Sequence, residues 1–431
     1  MLARKIFKWF VRVFADFGLV LPLVVLCARK TQLIHPSAAR NEPIIILALS
    51  PARFLGDLRA LACSGTFTIY SMPEYWQYAA LALHAYDSKL QRRFLTRFLH
   101  VYRRYIPFDV VVGTSVWYKQ DIPWGAAAQR SGVPYVILHK ECFKPEPVQT
   151  QAAVEKALKF GPFMGERLLV HNEPIARAFI SKGYVSKDEV DVCGAMRMDD
   201  FVGRAKSSGV SCAAQRKRPL VTYFSFALGL GLDDRGVDPF PKDPRLGWYD
   251  LFCGSHLAFA QLALRRPDVD FIIKTKWLGQ WTKLIEQVLQ DGDVELDKLH
   301  NLNIQSSGDA HSLIFESLVV CSFASTTILE ASLARKPVII PHFGEVDKEG
   351  FRGRVKLFDS YSLFDVAETP NDFAQRIEER LNNPDVNPKL ELAKRNLFER
   401  WVSPLNESAL KRYIEILSNV GERGVTSQSD R

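Results

Sequence analysis

Short apolar runs alternate with amphipathic stretches from residue 43 to residue 417. The runs at 44–49, 66–70, 108–112, 135–138, 168–170 and 189–192 have the length of buried parallel strands, and helical periodicity fills 75–85, 88–105, 124–131 and 173–182 between them. A second series follows, with strands predicted at 219–226, 269–273, 302–305, 318–321 and 338–340. Its helices are predicted at 310–317, 326–336, 371–381 and 388–401, and a last helix at 405–417. Strands that alternate with helices predict α/β domains with mostly parallel, doubly wound sheets. The stretch 206–217, KSSGVSCAAQRK, has no periodicity and reads as a linker between a domain at 43–205 and another at 218–403. Past residue 420 the chain is polar, and 421–431 is expected to be a disordered tail.

Ahead of the first strand, residues 1–42 carry a different pattern. Residues 17–28 form an uncharged apolar run of 12 residues, shorter than the ~20 a spanning helix needs. Upstream of it Ile6, Phe7, Trp9, Phe10, Val13, Phe14 and Phe17 interleave with Lys5, Lys8, Arg12 and Asp16, and Arg29 and Lys30 close the run. No small-x-small cleavage site follows, which disfavours a secretory signal. An amphipathic helix in a membrane interface fits the pattern, and so does a helix buried against the first domain. Residues 88–105 add a basic row, Lys89, Arg93, Arg97, His100 and Arg104, opposite an apolar row. Such a row is either a solvated face or a contact with a membrane or polyanion.

The stretch 318–341, LVVCSFASTTILEASLARKPVIIP, is a strand–helix–strand unit. Ser325, Thr326 and Thr327 place hydroxyls and backbone N–H groups at a helix start, where an anion such as phosphate is favoured. Glu330 follows within a turn and could accept hydrogen bonds from ribose hydroxyls. The same residues also spell a capping box, Thr327-x-x-Glu330, which needs no ligand.

The pattern AST-T-x-x-E-A-x-x-x-x-K-P-V resembles the donor-binding unit of GT-B glycosyltransferases, in particular the group that makes bacterial surface and capsular polysaccharides. Teichoic-acid (CDP-glycerol) glycerophosphotransferases and non-hydrolysing UDP-GlcNAc 2-epimerases are relatives of that group. The resemblance implies two Rossmann-like domains facing a cleft, with a nucleotide-sugar donor in the second. It sets Ser325, Thr326 and Thr327 near phosphate and Glu330 near ribose. The epimerases have two glycines where Thr326 and Thr327 stand, a departure that counts against epimerase chemistry. Gly194, Arg197 and Asp199 match the G-x-P-R-x-D stretch that closes the first domain in this group, with Met196 in place of proline. Arg197 would then bind a substrate phosphate, unless it pairs with Asp199. Gly229 lies in a glycine-containing loop that in GT-B enzymes approaches the donor phosphates. The loop 342–345 would face the donor sugar, the loop before His311 would hold the base, and the last helix, to residue 420, would cross back to the first domain.

Ligands of such sheets bind beyond the carboxyl ends of the strands. There His139-Lys140-Glu141 offers Glu141 or His139 as a general base, or else an ordinary polar loop. Lys274 and Lys276 at another strand end suit a diphosphate. Asp291-Gly292-Asp293 has Asp-x-Asp spacing but reads as a turn, so no metal site is expected.

Composition adds little. The net charge of +8 with pI near 9.0 suits an anionic membrane surface, a phosphorylated substrate or nucleic acid, and does not choose among them. Seven scattered cysteines without C-x-x-C suggest a reducing compartment. The expectation is a nucleotide-sugar-dependent, metal-independent glycosyltransferase without further cofactor. It would be peripheral on the cytoplasmic face of the cell membrane and act on a lipid-linked or polysaccharide acceptor. A CDP-glycerol-type polyol-phosphate transferase and a non-catalytic assembly protein are the alternatives. No recognition module for nucleic acid is apparent.

Overall fold

A computed structural model describes residues 9–14, 17–34, 43–49, 52, 54–73, 76, 88–118, 121–207 and 216–429. The helix expected at 75–85, the expected linker's residues 208–215 and the basic residues before 9 lie outside these, with Trp76 alone described in the first. The chain forms two compact units. One comprises 1–142, 153–199 and 403–431, and the other 143–152 and 200–402.

The first unit begins with helical residues 9–14 and helix α1 (Leu21–Lys30), then a short strand β1 (Gln32–Ile34) that the apolar pattern did not announce. Strands β2 (Ile44–Ala48), β3 (Phe67–Ser71), β4 (Val110–Gly113), β5 (Tyr135–His139), β6 (Arg167–Val170) and β7 (Val190–Val192) follow. They form one sheet in the order β1-β3-β2-β4-β5-β6-β7, parallel except for β1 against β3. Helices α2 (Leu55–Cys63), α3 (Ser88–Tyr102), α4 (Ile122–Arg130), α5 (Pro147–Leu158) and α6 (Glu173–Ser181) connect the strands. The central strands β4 and β5 are buried along their whole length, as continuous apolar runs in a parallel sheet must be.

Two cores cover the sheet. One holds Leu23, Val24 and Cys27 of α1 with Phe94, Phe98 and Tyr102 of α3. The N-terminal segment is therefore part of the first unit's core, while Leu21 and Leu26 of the same helix stay exposed. The other core takes Tyr413, Leu417 and Val420 from the last helix, which returns to this unit. That helix runs to Ser429, well past the expected end at 417. Val420 is buried, and Gly421 lies so close to Ile44 that a Cβ would come within 2.6 Å of its side chain. The helix thus continues through residues 421–429 of the stretch expected to be a disordered tail.

The second unit starts with α7 (Asp199–Ser207) and continues with β8 (Leu220–Phe224), α8 (Tyr249–Arg265), β9 (Asp270–Lys274), α9 (Gln280–Asp291), β10 (Leu302–Gln305) and α10 (Ala310–Glu316). Then come β11 (Val319–Ser322), α11 (Thr327–Leu333), β12 (Val338–Pro341), β13 (Asp365–Ala367), α12 (Pro370–Asn382) and α13 (Pro388–Trp401); α14 (Ala409–Ser429), the last helix, belongs to the first unit. The sheet is all parallel in the order β10-β9-β8-β11-β12-β13. This is the doubly wound arrangement, and the strand order reverses between β8 and β11. A crevice opens beyond the carboxyl ends of two such strands because their connections leave in opposite directions. The residues that follow β8 and β11 are therefore the first place to look for a ligand.

Candidate functional site

After β11 the chain turns at Phe323 and Ala324, and Ala324 has φ +51°, a conformation costly for a residue with a Cβ. Helix α11 begins at Thr327, and no side chain caps it. The capping box therefore does not form. The Thr327 hydroxyl meets the Ser322 hydroxyl at 2.7 Å, and the Thr327 N–H donates to Ser325 Oγ at 3.3 Å. Glu330 is 4% exposed and turns to His311, whose Nε2 is 3.7 Å from its carboxylate. His311 in turn stacks on Phe201, with ring centroids 4.6 Å apart. Ser325, Thr326, Thr327, Glu330 and His311 are thus gathered around the start of α11.

Lys274 ends β9 and donates to the Ser306 carbonyl at 2.6 Å and the Thr275 carbonyl at 3.1 Å. Burial pulls its ammonium below the ordinary lysine range. It ties the exits of β9 and β10 together and keeps one N–H for a ligand. Lys276 is exposed, its ammonium 5.1 Å from the Trp277 ring. Gly229 has a packing role, since a Cβ there would lie 2.0 Å from the Asp238 carbonyl oxygen. Asp293 sits in the left-handed region after Gly292, which makes the Asp-x-Asp a helix-terminal turn.

Beyond β12, Glu345 is buried and its carboxylate accepts the backbone N–H groups of Asp250 and Leu251 at 2.6 and 3.1 Å. It supplies the cap that α8 lacks locally. His342 is left at the strand end beside Phe358 and Tyr361. Its Nδ1 and the Tyr361 hydroxyl are buried without a hydrogen-bond partner among the described residues. Glu146, whose carboxylate accepts the Phe358 N–H, is held above the usual carboxylate range by burial and by Asp359. Buried polar atoms without partners are rare in folded proteins and commonly mark a place that a ligand or water completes.

Sequence reasoning also missed a pair at the end of β8. Ser225 Oγ lies 2.8 Å from His256 Nε2 and accepts the Trp281 indole N–H at 2.9 Å. His256 Nδ1 faces the Phe252 carbonyl at 2.7 Å, so that nitrogen carries the proton. Burial pulls His256 down to about 4. A histidine 31 residues away in a helix gives no local signal of this partnership.

In the first unit, Glu141 is half-buried and accepts the Tyr118 hydroxyl at 3.0 Å. His139 is fully buried, its ring edge-on to Trp117 at 4.5 Å and near Phe179. It lies inside the core, where a proton could not be exchanged with an acceptor, so of the two candidate bases only Glu141 has solvent access. Arg197 is exposed and does not pair with Asp199. Asp199 accepts the N–H groups of Ala409 and Leu410 and the Ser408 hydroxyl, and so caps α14. Arg197 instead exerts its charge on Asp57 and His171. Asp57, in the first turn of α2 behind β2, is raised above the usual carboxylate range by burial despite the opposing charges of Arg197 and Lys140. His171 is pushed well down by burial and then by Arg197, His139 and Lys140. Neither residue stands in a motif, and only the fold brings them together.

No family model matches the sequence, and no curated protein matches it. Solved structures do. The UDP-GlcNAc 2-epimerase of Neisseria meningitidis bound to UDP-GlcNAc is 11% identical, with a TM-score of 0.50 over 88% of this chain and all of the other. The UDP-GlcNAc 2-epimerase of Methanocaldococcus jannaschii gives the same identity, coverage and TM-score. A glycosyltransferase of Rickettsia africae, 13% identical, covers 88% of this chain and 99% of its own at a TM-score of 0.49. The first two establish the fold, two Rossmann-like α/β domains of the GT-B kind.

Proposed function

We propose that the protein is a transferase that takes its donor from a nucleotide sugar held by the second unit. The observation that carries this reading is the buried Glu330 carboxylate. It is uncommitted to capping and turned to His311, at the strand-order reversal where doubly wound sheets bind nucleotides. In that place a carboxylate accepts from ribose hydroxyls, and the hydroxyls of Ser325, Thr326 and Thr327 and the remaining N–H of Lys274 are available to phosphate. His342 Nδ1 and the Tyr361 hydroxyl, which lack partners among the described residues, suit the hydroxyls of a sugar. The structure of the Neisseria epimerase with UDP-GlcNAc supports a nucleotide sugar as the ligand class for this fold. Charge that develops on the leaving diphosphate would be stabilised by lysines and backbone N–H groups already in place. In the first unit Glu141 and Asp57 are the carboxylates suited to take a proton from an acceptor hydroxyl. The acceptor is a saccharide of a surface glycan, and the work is done at the inner face of a membrane.

Thermal stabilisation by UDP-GlcNAc, UDP-glucose, CMP, CDP-glycerol and ATP tests the reading. A nucleotide sugar should stabilise the protein, and Glu330→Ala should abolish that shift. A response to CDP-glycerol alone would replace sugar transfer with polyol-phosphate transfer. No response to any of them would remove the nucleotide.

A further inference from the structure

Two segments that the sequence keeps apart, 17–20 and the basic helix α3, border one groove of about 880 Å³ in the first unit. Four cationic or titratable side chains line it: Arg93, Arg97 and His100 from α3, and Arg130 from the end of α4. Among the described residues that line it there is no carboxylate, and Arg93, Arg97 and Arg130 make no ion pair. Three guanidinium groups without a carboxylate among the described lining residues repel one another, so the arrangement is stabilised when an anion enters. The turn beside them is shaped for the approach. Gly18 has φ +67°, and a Cβ there would lie 3.4 Å from the Arg97 guanidinium.

The rim is apolar and faces outward. Phe17, at the groove's edge, is 75% exposed, and Leu19 and Leu21 beside it are each 52% exposed. Helix α1 has the same character: Leu23, Val24 and Cys27 face the core, while Leu21, Pro22 and Leu26 stay exposed and Arg29 and Lys30 close its last turn. A free phosphate would account for the arginines but not for the large apolar side chains around them. An anionic phospholipid accounts for both, with its phosphate between the guanidinium groups and its acyl region against Phe17, Leu19 and Leu21. Among the described residues no helix is long and apolar enough to cross a membrane, and the exposed apolar rim has the depth of an interfacial contact.

We infer that this groove is a binding site for the phosphate headgroup of an anionic bilayer lipid, and that it docks the first unit on the membrane. The inference deepens the reading of a membrane-surface transferase but does not use the nucleotide site. Co-sedimentation with vesicles of phosphatidylcholine, alone or mixed with phosphatidylglycerol, tests it on the full-length protein. Binding should require phosphatidylglycerol. Each basic side chain near an anionic surface is worth roughly fivefold in partitioning. The triple variant Arg93→Gln, Arg97→Gln, Arg130→Gln should therefore lose on the order of a hundredfold at low salt. Phe17→Ser with Leu21→Ser should remove the part of the binding that survives high salt. These two side chains are exposed, so this variant keeps the test open if the arginine variant fails to fold. Glycerol 3-phosphate should compete poorly. Binding indifferent to phosphatidylglycerol, or unchanged in both variants, overturns the inference. So does loss in the arginine variant alone with full competition by glycerol 3-phosphate, which would make the groove a site for a free anion. Thermal stabilisation by nucleotide in the same variants separates this result from failure of the donor site.

Discussion

Nε2 of His311 lies 3.7 Å from the carboxylate of Glu330, although the two residues are on different helices and 19 positions apart. The contact explains why Glu330 does not cap its own helix. A buried carboxylate needs a partner, and His311 provides one without using the backbone donors at the start of α11. The N–H groups of Thr327, Ile328, Leu329 and Glu330 bond instead to Ser325 and Thr326, which leaves the Glu330 carboxylate and the Thr326 hydroxyl for a ligand.

Glu330→Gln should weaken nucleotide binding by about 10- to 100-fold, the range expected for losing a hydrogen bond to a charged group. The same variant without nucleotide should melt close to the parent. Calorimetric titration and thermal unfolding of both proteins check this. A variant that melts earlier but binds normally would make Glu330 a structural residue.

Asp57 offers a test in the first unit. Its carboxyl is raised, so the folded state retains that proton to higher pH than the unfolded chain does. The contribution is favourable below the ordinary carboxylate value of 3.8 and is lost as pH rises through the raised pKa. At neutral pH the folded protein therefore holds a carboxylate in a place that disfavours its charge. Asp57→Asn should be more stable than the parent at neutral pH, and the difference should shrink on acidification. If Asp57 takes a proton during transfer, the variant should also lose turnover, on the order of 100-fold or more, with donor affinity unchanged. Denaturant unfolding across pH, combined with a transfer assay, reads both effects.

His256 gives a pH dependence of opposite sign. The folded protein keeps it neutral down to about 4, whereas the unfolded chain protonates it near 6.5. Its contribution is complete above 6.5 and is lost as pH falls toward about 4, up to about 3 kcal/mol. His256→Gln should flatten the acid side of the stability profile across that interval. An unchanged slope in the variant would assign the acid sensitivity to other groups.

The strands of the second unit were readable because each is a short apolar run bounded by polar turns, and a buried parallel strand needs little else. The same property hid the direction of His139. In a strand buried on both faces there is no alternation to show which side chain leaves the sheet, and His139 proved to point into the core. The choice between a capping box and a ligand site at Thr327 and Glu330 was undecidable locally. The deciding partners, Ser322 and His311, are set by the turn and by a neighbouring helix. Of residues 4–30, the described helix α1 packs part of its surface into the core and leaves part of it exposed. A helix has two faces, and α1 uses one for each. Asp57, His171 and His256 had no signal at all, because burial and distant charges exist only once the chain is folded.

Asp199 closes the first unit by holding the start of α14, which carries Tyr413, Leu417 and Val420 into that unit's core. The ribosome makes this helix after the whole second unit. The first unit can therefore not complete its core when its own strands emerge, and it waits until the whole second unit has been synthesised. The exposed apolar face that waits includes Ile46 and Val110, which pack in the core with α14. A chain that stops before residue 409 would carry an intact second sheet and a first sheet covered on that face only by α2 and its neighbours. Termination between residues 402 and 409 thus damages the unit that was translated first.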